Sequence, residues 1–500
     1  MQDTIKKLKE MQAELTDIGN ATAALGWDQV TYMPTGGAED RGYALSTLSK
    51  IAHMKSTDPQ IGVMLAELEP KIKELDPDCD DARWFKVTKR NYEQNTKLPV
   101  EFVIKLTMET SMAQMRWQEA REKSDFSLFR PHLENIVELM KEGAGYFAPF
   151  DHIYDPLLDM YEPGMKTADV KKIFNDLRPI QVELIKAIQD SPQVDDSFLN
   201  QTYPKQKQWD FGVELLTAIG FDFNRGRQDY SAHPFTTSFG LNDVRITTRI
   251  SETDMISGMM STLHEGGHGL YELGGDPLHA RDALHGAASL AVHESQSRMW
   301  ENLIGRSMPF WQQYYPRLQS FFPSQLANVS LDQWYRGINK VEPSMIRVEA
   351  DEATYNLHIM LRLEIEMGLM EGKIKVAELP EYWNTKMEEY LGITPKNDAE
   401  GVLQDVHWSN GLIGYFSTYA LGNLISVQLW EVMQKEMPNM NDMIAKGEFH
   451  EILGWLREKI HVHGSKYEPQ ELVEMVTGSK ITAEPYMKYL TDKYSAIYGF

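Results

Sequence analysis

Apolar residues that return every third or fourth position constrain this chain more than any other feature. Ile5, Leu8, Met11, Leu15 and Ile18 share one face of a helix, and Lys6, Lys7, Lys9, Glu10 and Asp17 take the other. Val170, Ile173, Phe174 and Leu177 repeat the pattern, as do Ile452, Leu453, Leu456 and Ile460. Turn chemistry interrupts it at Asp76-Pro77-Asp78, Glu162-Pro163-Gly164, Asp190-Ser191-Pro192 and Met437-Pro438-Asn439. None of these breaks is a long Gly/Ser-rich or Pro-rich linker, and no internal repeat stands out. The expected fold is mainly α, one large helical unit over residues 1–500, with the 27 methionines serving as adaptable core filler.

Charge and cysteine usage narrow the function classes. Fifty basic residues against 73 acidic ones leave a formal charge of −23, which disfavours nucleic acid and anionic membrane as partners. The single cysteine, Cys79, cannot form an internal disulfide. Met1–Glu10 lacks the apolar core of a signal peptide, and no window approaches the ~18 apolar residues of a membrane span. The expectation is a soluble cytoplasmic protein.

One stretch departs from helical spacing. In Pro234–Ile250, Val244, Ile246, Thr248 and Ile250 alternate with Arg245, Thr247 and Arg249, the period of a strand. Gly240–Asp243 supplies turn residues, so a small β-hairpin is expected there. A helix over about Asp254–Leu273 follows, containing His264-Glu265-Gly266-Gly267-His268. Histidines four apart lie one turn apart on one helix face, so both imidazoles can reach one cation with Glu265 beside it. Gly266, Gly267 and Gly269 each cost ~1 kcal/mol relative to alanine in a helix interior, so close backbone approach is expected there.

A catalytic zinc site usually has three protein ligands and an open position. A third histidine six residues after His268 is ruled out, because that position is Gly274. The remaining choice is a later side chain. Glu294, 26 positions after His268 and preceded by the small Ala287, Ala288, Ser289 and Ala291, is favoured over Glu272, His279 and His285. A carboxylate usually orients a ligating histidine from behind. Four residues after Glu294 stands Arg298, so that group must come from elsewhere.

HEGGH, followed by His293-Glu294-Ser295, resembles the carboxypeptidase Taq family of metallocarboxypeptidases. His233-Pro234-Phe235 is similar to that family's HPF motif, and Asp243–Thr247 to its DxRxT motif. Ile346–Asp351 is similar to IRxxAD, and Gly401–Trp408 to GxxQDxHW. The five motifs occur in order. The resemblance implies a mainly helical fold with a deep groove and a small β element at the active site, similar to angiotensin-converting enzyme and neurolysin. It also implies a homodimer, zinc or cobalt as metal, and broad release of C-terminal residues from peptides, proline excepted. His264, His268 and Glu294 would bind the metal.

The expected chemistry follows from that set. Zinc lowers the pKa of a bound water toward ~7, and Glu265 acts as general base and then proton donor to the leaving amine. Tyr415, in a Tyr-Phe pair that resembles the transition-state tyrosine of angiotensin-converting enzyme, is the candidate oxyanion donor, with His407 as a second; Trp408 is read as a wall. Arg347 is the leading candidate for the substrate carboxylate, because a planar guanidinium binds both oxygens. Arg245 and Arg249 are weaker candidates, and His233 and Gln404 are candidate groove contacts. The hairpin could pair with substrate backbone as an added strand. Internal cleavage by a metallo-oligopeptidase and a non-catalytic metal-binding helical protein are the competing readings.

Overall fold

Helices carry the chain from Gln2 to Tyr498 in this computed structural model, which describes residues 1–500, and the only sheet has three short strands. The periodic segments lie in the helices Gln2–Thr31, Thr167–Gln189 and His450–Lys459, with Ile460 just past the last of them. Their apolar stripes meet in a core of 102 buried residues running from Ala113 to Tyr498. Trp300, Trp311, Trp334 and Trp383 are almost completely enclosed in it. A separate cluster of eleven buried residues, including Ile5, Leu8, Leu68 and Trp84, ties the N-terminal helix to Pro59–Ile72 and Asp80–Lys97. No helix is long and apolar enough to cross a membrane.

The strands are β1 (Gly226–Tyr230), β2 (Thr236–Ser238) and β3 (Val244–Thr248), in the spatial order β1-β3-β2. β2 and β3 form the expected antiparallel pair, with Thr236 opposite Ile246 and Ser238 opposite Val244. β1, which runs parallel to β3, is an addition to the expected hairpin. Its sequence, Gly-Arg-Gln-Asp-Tyr, has no apolar alternation, and its buried positions are Gln228 and Asp229. One face of β3 lies on the helix Met255–Leu273: Thr248 Oγ1 is 3.2 Å from Thr262 Oγ1. The other face meets the N-terminal helix, where the Arg245 guanidinium lies 4.6 Å from the Trp27 ring centroid.

The helix Met255–Leu273 begins where Asp254 caps it, its carboxylate accepting from Ser257 N–H at 3.0 Å. Its glycines do admit close neighbours. A Cβ on Gly266 would meet Leu216 at 2.6 Å, one on Gly267 the Gln296 carbonyl oxygen at 2.7 Å, and one on Gly269 Phe221 at 2.7 Å. The Gly267 contact is backbone against backbone, so it fixes the separation between this helix and Leu290–Arg298. That second helix continues as a π-helical turn, Met299–Ile304.

Two groups cap Leu290–Arg298. Ser289 Oγ accepts from Val292 N–H at 3.1 Å, and the fully buried Glu162 accepts from Ala291 N–H at 2.6 Å. Burial pushes the Glu162 carboxyl up to about 8 against its hydrogen bonds from Ser289 and Ala291. Its folded pKa therefore lies above its unfolded one. The contribution is fully present below about pH 4.5 and is lost as pH rises through about 8. Glu162→Gln should accordingly flatten the decline of Tm between pH 5 and 8, worth on the order of a few kcal/mol. Parallel native and variant melting profiles across that range would contradict this.

Candidate metal centre

His264 and His268 stand one turn apart on the helix Met255–Leu273, and the helix Leu290–Arg298 brings Glu294 against them. Glu294 Oε2 lies 3.6 Å from His264 Nε2 and 3.3 Å from His268 Nε2. All three atoms fall within 4.8 Å of one another. Close packing on the far side sets the Glu294 side chain, since a Cβ on Gly422 would meet its Cγ at 2.6 Å. Two imidazoles and one carboxylate form the donor set of a hydrolytic zinc site.

The remaining polar atoms of this trio are all engaged. Arg298 Nε donates to Glu294 Oε1 at 2.6 Å, and Oε2, which also accepts from Ser297 Oγ at 3.1 Å, faces the histidines. His264 Nδ1 lies 2.8 Å from Glu301 Oε2, which also receives Arg298 Nη1 at 3.2 Å. His268 Nδ1 lies 2.5 Å from His293 Nδ1, and His293 Nε2 lies 2.8 Å from Glu272 Oε1. The orienting groups are therefore Glu301, on the same helical run as Glu294 and seven residues on, and the pair His293–Glu272.

Burial alone would raise the Glu294 carboxyl, but Arg298 and the imidazoles hold it well below the usual carboxylate range. Burial and the neighbouring His293 push His268 down to about 3, so it is neutral and presents a lone pair. For His264, burial pulls down, and Glu294 and Glu301 outweigh it, raising the ring above its ordinary value. Two imidazole nitrogens and one ionised carboxylate oxygen drawn together in this way fit a divalent cation.

Glu265, next on the helix, is buried, and Thr236 Oγ1 donates to its Oε2 at 2.6 Å. Burial raises its carboxyl above the ordinary value, against lowering by His264 and Thr236. His233 is exposed and lies near both Glu265 and His407. The His407 ring packs 5.4 Å from Tyr415 and 4.4 Å from Phe416, and its Nε2 lies 3.3 Å from Tyr419 Oη. Burial drives it down to about 4. Tyr415 stacks edge-on to Tyr161 and Tyr419; burial and nearby Glu294 raise its hydroxyl, keeping it protonated.

Arg347 is almost enclosed. Its Nε and Nη2 donate to Asp405 Oδ1 at 3.1 and 2.8 Å, and its Nη1 donates to Tyr355 Oη at 2.8 Å. One hydrogen on each terminal nitrogen is left over. Arg362 takes the other oxygen of Asp405, so the cluster carries two guanidiniums against one carboxylate. Trp408 is anchored rather than free, its Nε1 donating to the buried Glu366 at 2.8 Å.

Several candidates sit elsewhere than expected. Gln404, expected as a groove contact, is engaged within the protein: its oxygen accepts from Arg347 N–H and Arg362 Nη2, and its amide donates to Met345 and Glu400 carbonyls, so every bonding site is used. Arg245 pairs with Asp243 and stacks between Trp27 and Phe239, on the sheet face away from the histidine helix. Arg249 is exposed. Glu272 serves His293 instead of contributing to the ligand trio, and His279 pairs with Asp282 at 3.0 Å. His285 lines a small cavity beside Glu272 and His293. Helical spacing could have revealed Arg298 and Glu301, at i+4 and i+7 from Glu294. No local signal marks Asp405 or Tyr355 as partners of Arg347.

A family model for the carboxypeptidase Taq (M32) metallopeptidases matches residues 7–494. The chain is 42% identical to thermostable carboxypeptidase 1 of Thermus thermophilus, with 99% of each covered. It is 38% identical to carboxypeptidase 1 of Bacillus subtilis, over 99% of this chain and 98% of the relative. Among solved structures, the M32 carboxypeptidase of Deinococcus radiodurans superimposes with a TM-score of 0.96 at 39% identity, covering 100% of both chains.

Proposed function

The chain belongs to the carboxypeptidase Taq (M32) metallopeptidase family, and on that premise we propose that it releases single residues from the free C-terminus of peptides. The reading includes zinc as the metal, with cobalt an alternative, held by His264, His268 and Glu294. It also includes broad side-chain tolerance with proline refused, a homodimer acting in the cytoplasm, and no nucleic-acid or membrane partner. The observation that carries it is the convergence of two Nε2 atoms and one carboxylate oxygen beside a buried glutamate.

A bound divalent ion would supply Lewis acidity, lowering the pKa of a water to ~7 and polarising the scissile carbonyl. Glu265 is the residue that moves the proton. Thr236 occupies one of its oxygens, and the other can take a proton from water and give it to the departing nitrogen. Tyr415, kept protonated, and neutral His407 can donate to the oxyanion of the tetrahedral intermediate.

Arg347 anchors the substrate carboxylate in this reading. Its two unused hydrogens and the surplus positive charge it shares with Arg362 and Asp405 suit an incoming anion. Arg347→Lys should raise KM by about 10–100-fold with a smaller change in kcat, the value of a charged hydrogen bond or two. C-terminal amidation of the peptide should reproduce that loss with native enzyme. Equal cleavage of amidated and free peptides would remove Arg347 from this role. The free edge of β2 is available to receive substrate backbone.

Mass spectra of a peptide digested before and after chelation test the whole reading. A ladder of stepwise C-terminal losses that disappears with chelator and returns with zinc is the expected result. Internal fragments would favour an oligopeptidase, and a chelator-resistant ladder would exclude the metal.

A further inference from the structure

β2 faces the site with two hydroxyls, and each ends on a carboxylate of the histidine helix. Thr236 and Ser238 are two residues apart, so their side chains leave the strand on the same face. Thr236 Oγ1 donates to Glu265 Oε2 at 2.6 Å. Ser238 Oγ donates to Glu272 Oε2 at 2.8 Å, and Glu272 Oε1 continues to His293 and so to His268. The proton accounting allows one arrangement of this chain when His268 offers its Nε2 lone pair to a cation. Its hydrogen is then on Nδ1 and is donated to His293 Nδ1. His293 in turn carries its hydrogen on Nε2 and donates it to Glu272. Glu272 takes the His293 hydrogen on one oxygen and meets the Ser238 hydroxyl with the other.

The two histidines are therefore held differently. His264 rests directly on Glu301, which shares the Arg298 guanidinium with Glu294. His268 rests on a second imidazole, His293, and the Glu272 carboxylate stands one ring further away, where a strand hydroxyl grips it. We propose that Thr236 and Ser238 are positioning residues of a single reaction centre: Thr236 sets the carboxylate of Glu265, and Ser238 acts through Glu272 and His293 to fix the tautomer and orientation of His268. An edge strand thereby ties the proton-moving glutamate and one metal ligand to the register of the sheet. This rests on the metal-centre reading above.

The test uses full-length protein loaded with zinc or with cobalt, and the variants Thr236→Val, Thr236→Ser and Ser238→Ala. Thr236→Val should lower kcat about tenfold or more with KM and metal affinity within about twofold, and Thr236→Ser should restore most of it. Ser238→Ala should weaken metal retention in chelator competition by about tenfold, as loss of an outer-sphere partner does. It should also shift the visible absorption of the cobalt form, which Thr236→Val leaves in place. A Thr236→Val enzyme with native kcat, a Thr236→Ser enzyme no better than the valine variant, or native metal retention and spectrum in Ser238→Ala would overturn the assignment. If the native protein hydrolyses peptides with its ion bound while the variants match it, only this inference falls. If the native protein binds no ion, the metal-centre reading falls with it.

Discussion

Glu265→Gln is expected to lower turnover by about 10²–10⁴-fold while the protein keeps its ion and its melting temperature. The amide fills the space of the carboxylate and can still accept from Thr236 through its oxygen, so the 2.6 Å contact to β2 survives. It cannot take a proton from water at neutral pH. The ligand trio His264, His268 and Glu294 makes no hydrogen bond to Glu265, so metal content measured by atomic emission should match the native protein. Because the glutamate is buried, no neighbouring solvent-borne base replaces it. A variant with a tenth or more of native activity would remove Glu265 from the proton-transfer step. A variant without metal would make the loss of activity uninformative about the base and would assign Glu265 to holding the ion.

Gly267→Ala should have the next largest effect, through geometry alone. The added methyl would sit 2.7 Å from both the Gln296 carbonyl oxygen and Ser297 Cα, and these are backbone atoms that cannot rotate away. The two helices must therefore part. One carries the histidine pair and the other Glu294, which already sits 3.3 Å from His268 Nε2. We expect destabilisation of about 1–3 kcal/mol from overpacking and a loss of metal affinity of about 100-fold or more, seen together in a melt and a chelator titration. Gly454→Ala serves as the control, because a Cβ there meets nothing within 4 Å and alanine is favoured in a helix. Native metal affinity in Gly267→Ala would mean that helix separation does not set the site.

Features written in local spacing are legible in the sequence. The histidine helix was legible nearly to the residue: Asp254 is a capping residue, and HEGGH places two imidazoles on one face. The three glycines announced close approach, and Gly267 against Gln296 and Ser297 is that approach. β1 was not legible, because its pairing with β3 buries polar residues rather than an apolar alternation. The internal partners of Gln404 and Arg245 are illegible for a different reason. A polar side chain in a motif reads alike whether it meets substrate or braces a neighbour, and only tertiary contacts separate the two. Gln404 spends its amide on Arg347, Arg362 and two carbonyls. The partners of His268 were hidden similarly, since His293 adjoins Glu294 in sequence but turns back toward Glu272.

The proposed chemistry depends on where one ion sits. Crystals of the full-length protein grown with zinc, measured on both sides of the zinc absorption edge, report that position directly. One anomalous peak per chain is expected, at ~2.0–2.2 Å from His264 Nε2, His268 Nε2 and a Glu294 oxygen. A peak elsewhere, or one that the two imidazoles share without Glu294, would contradict it.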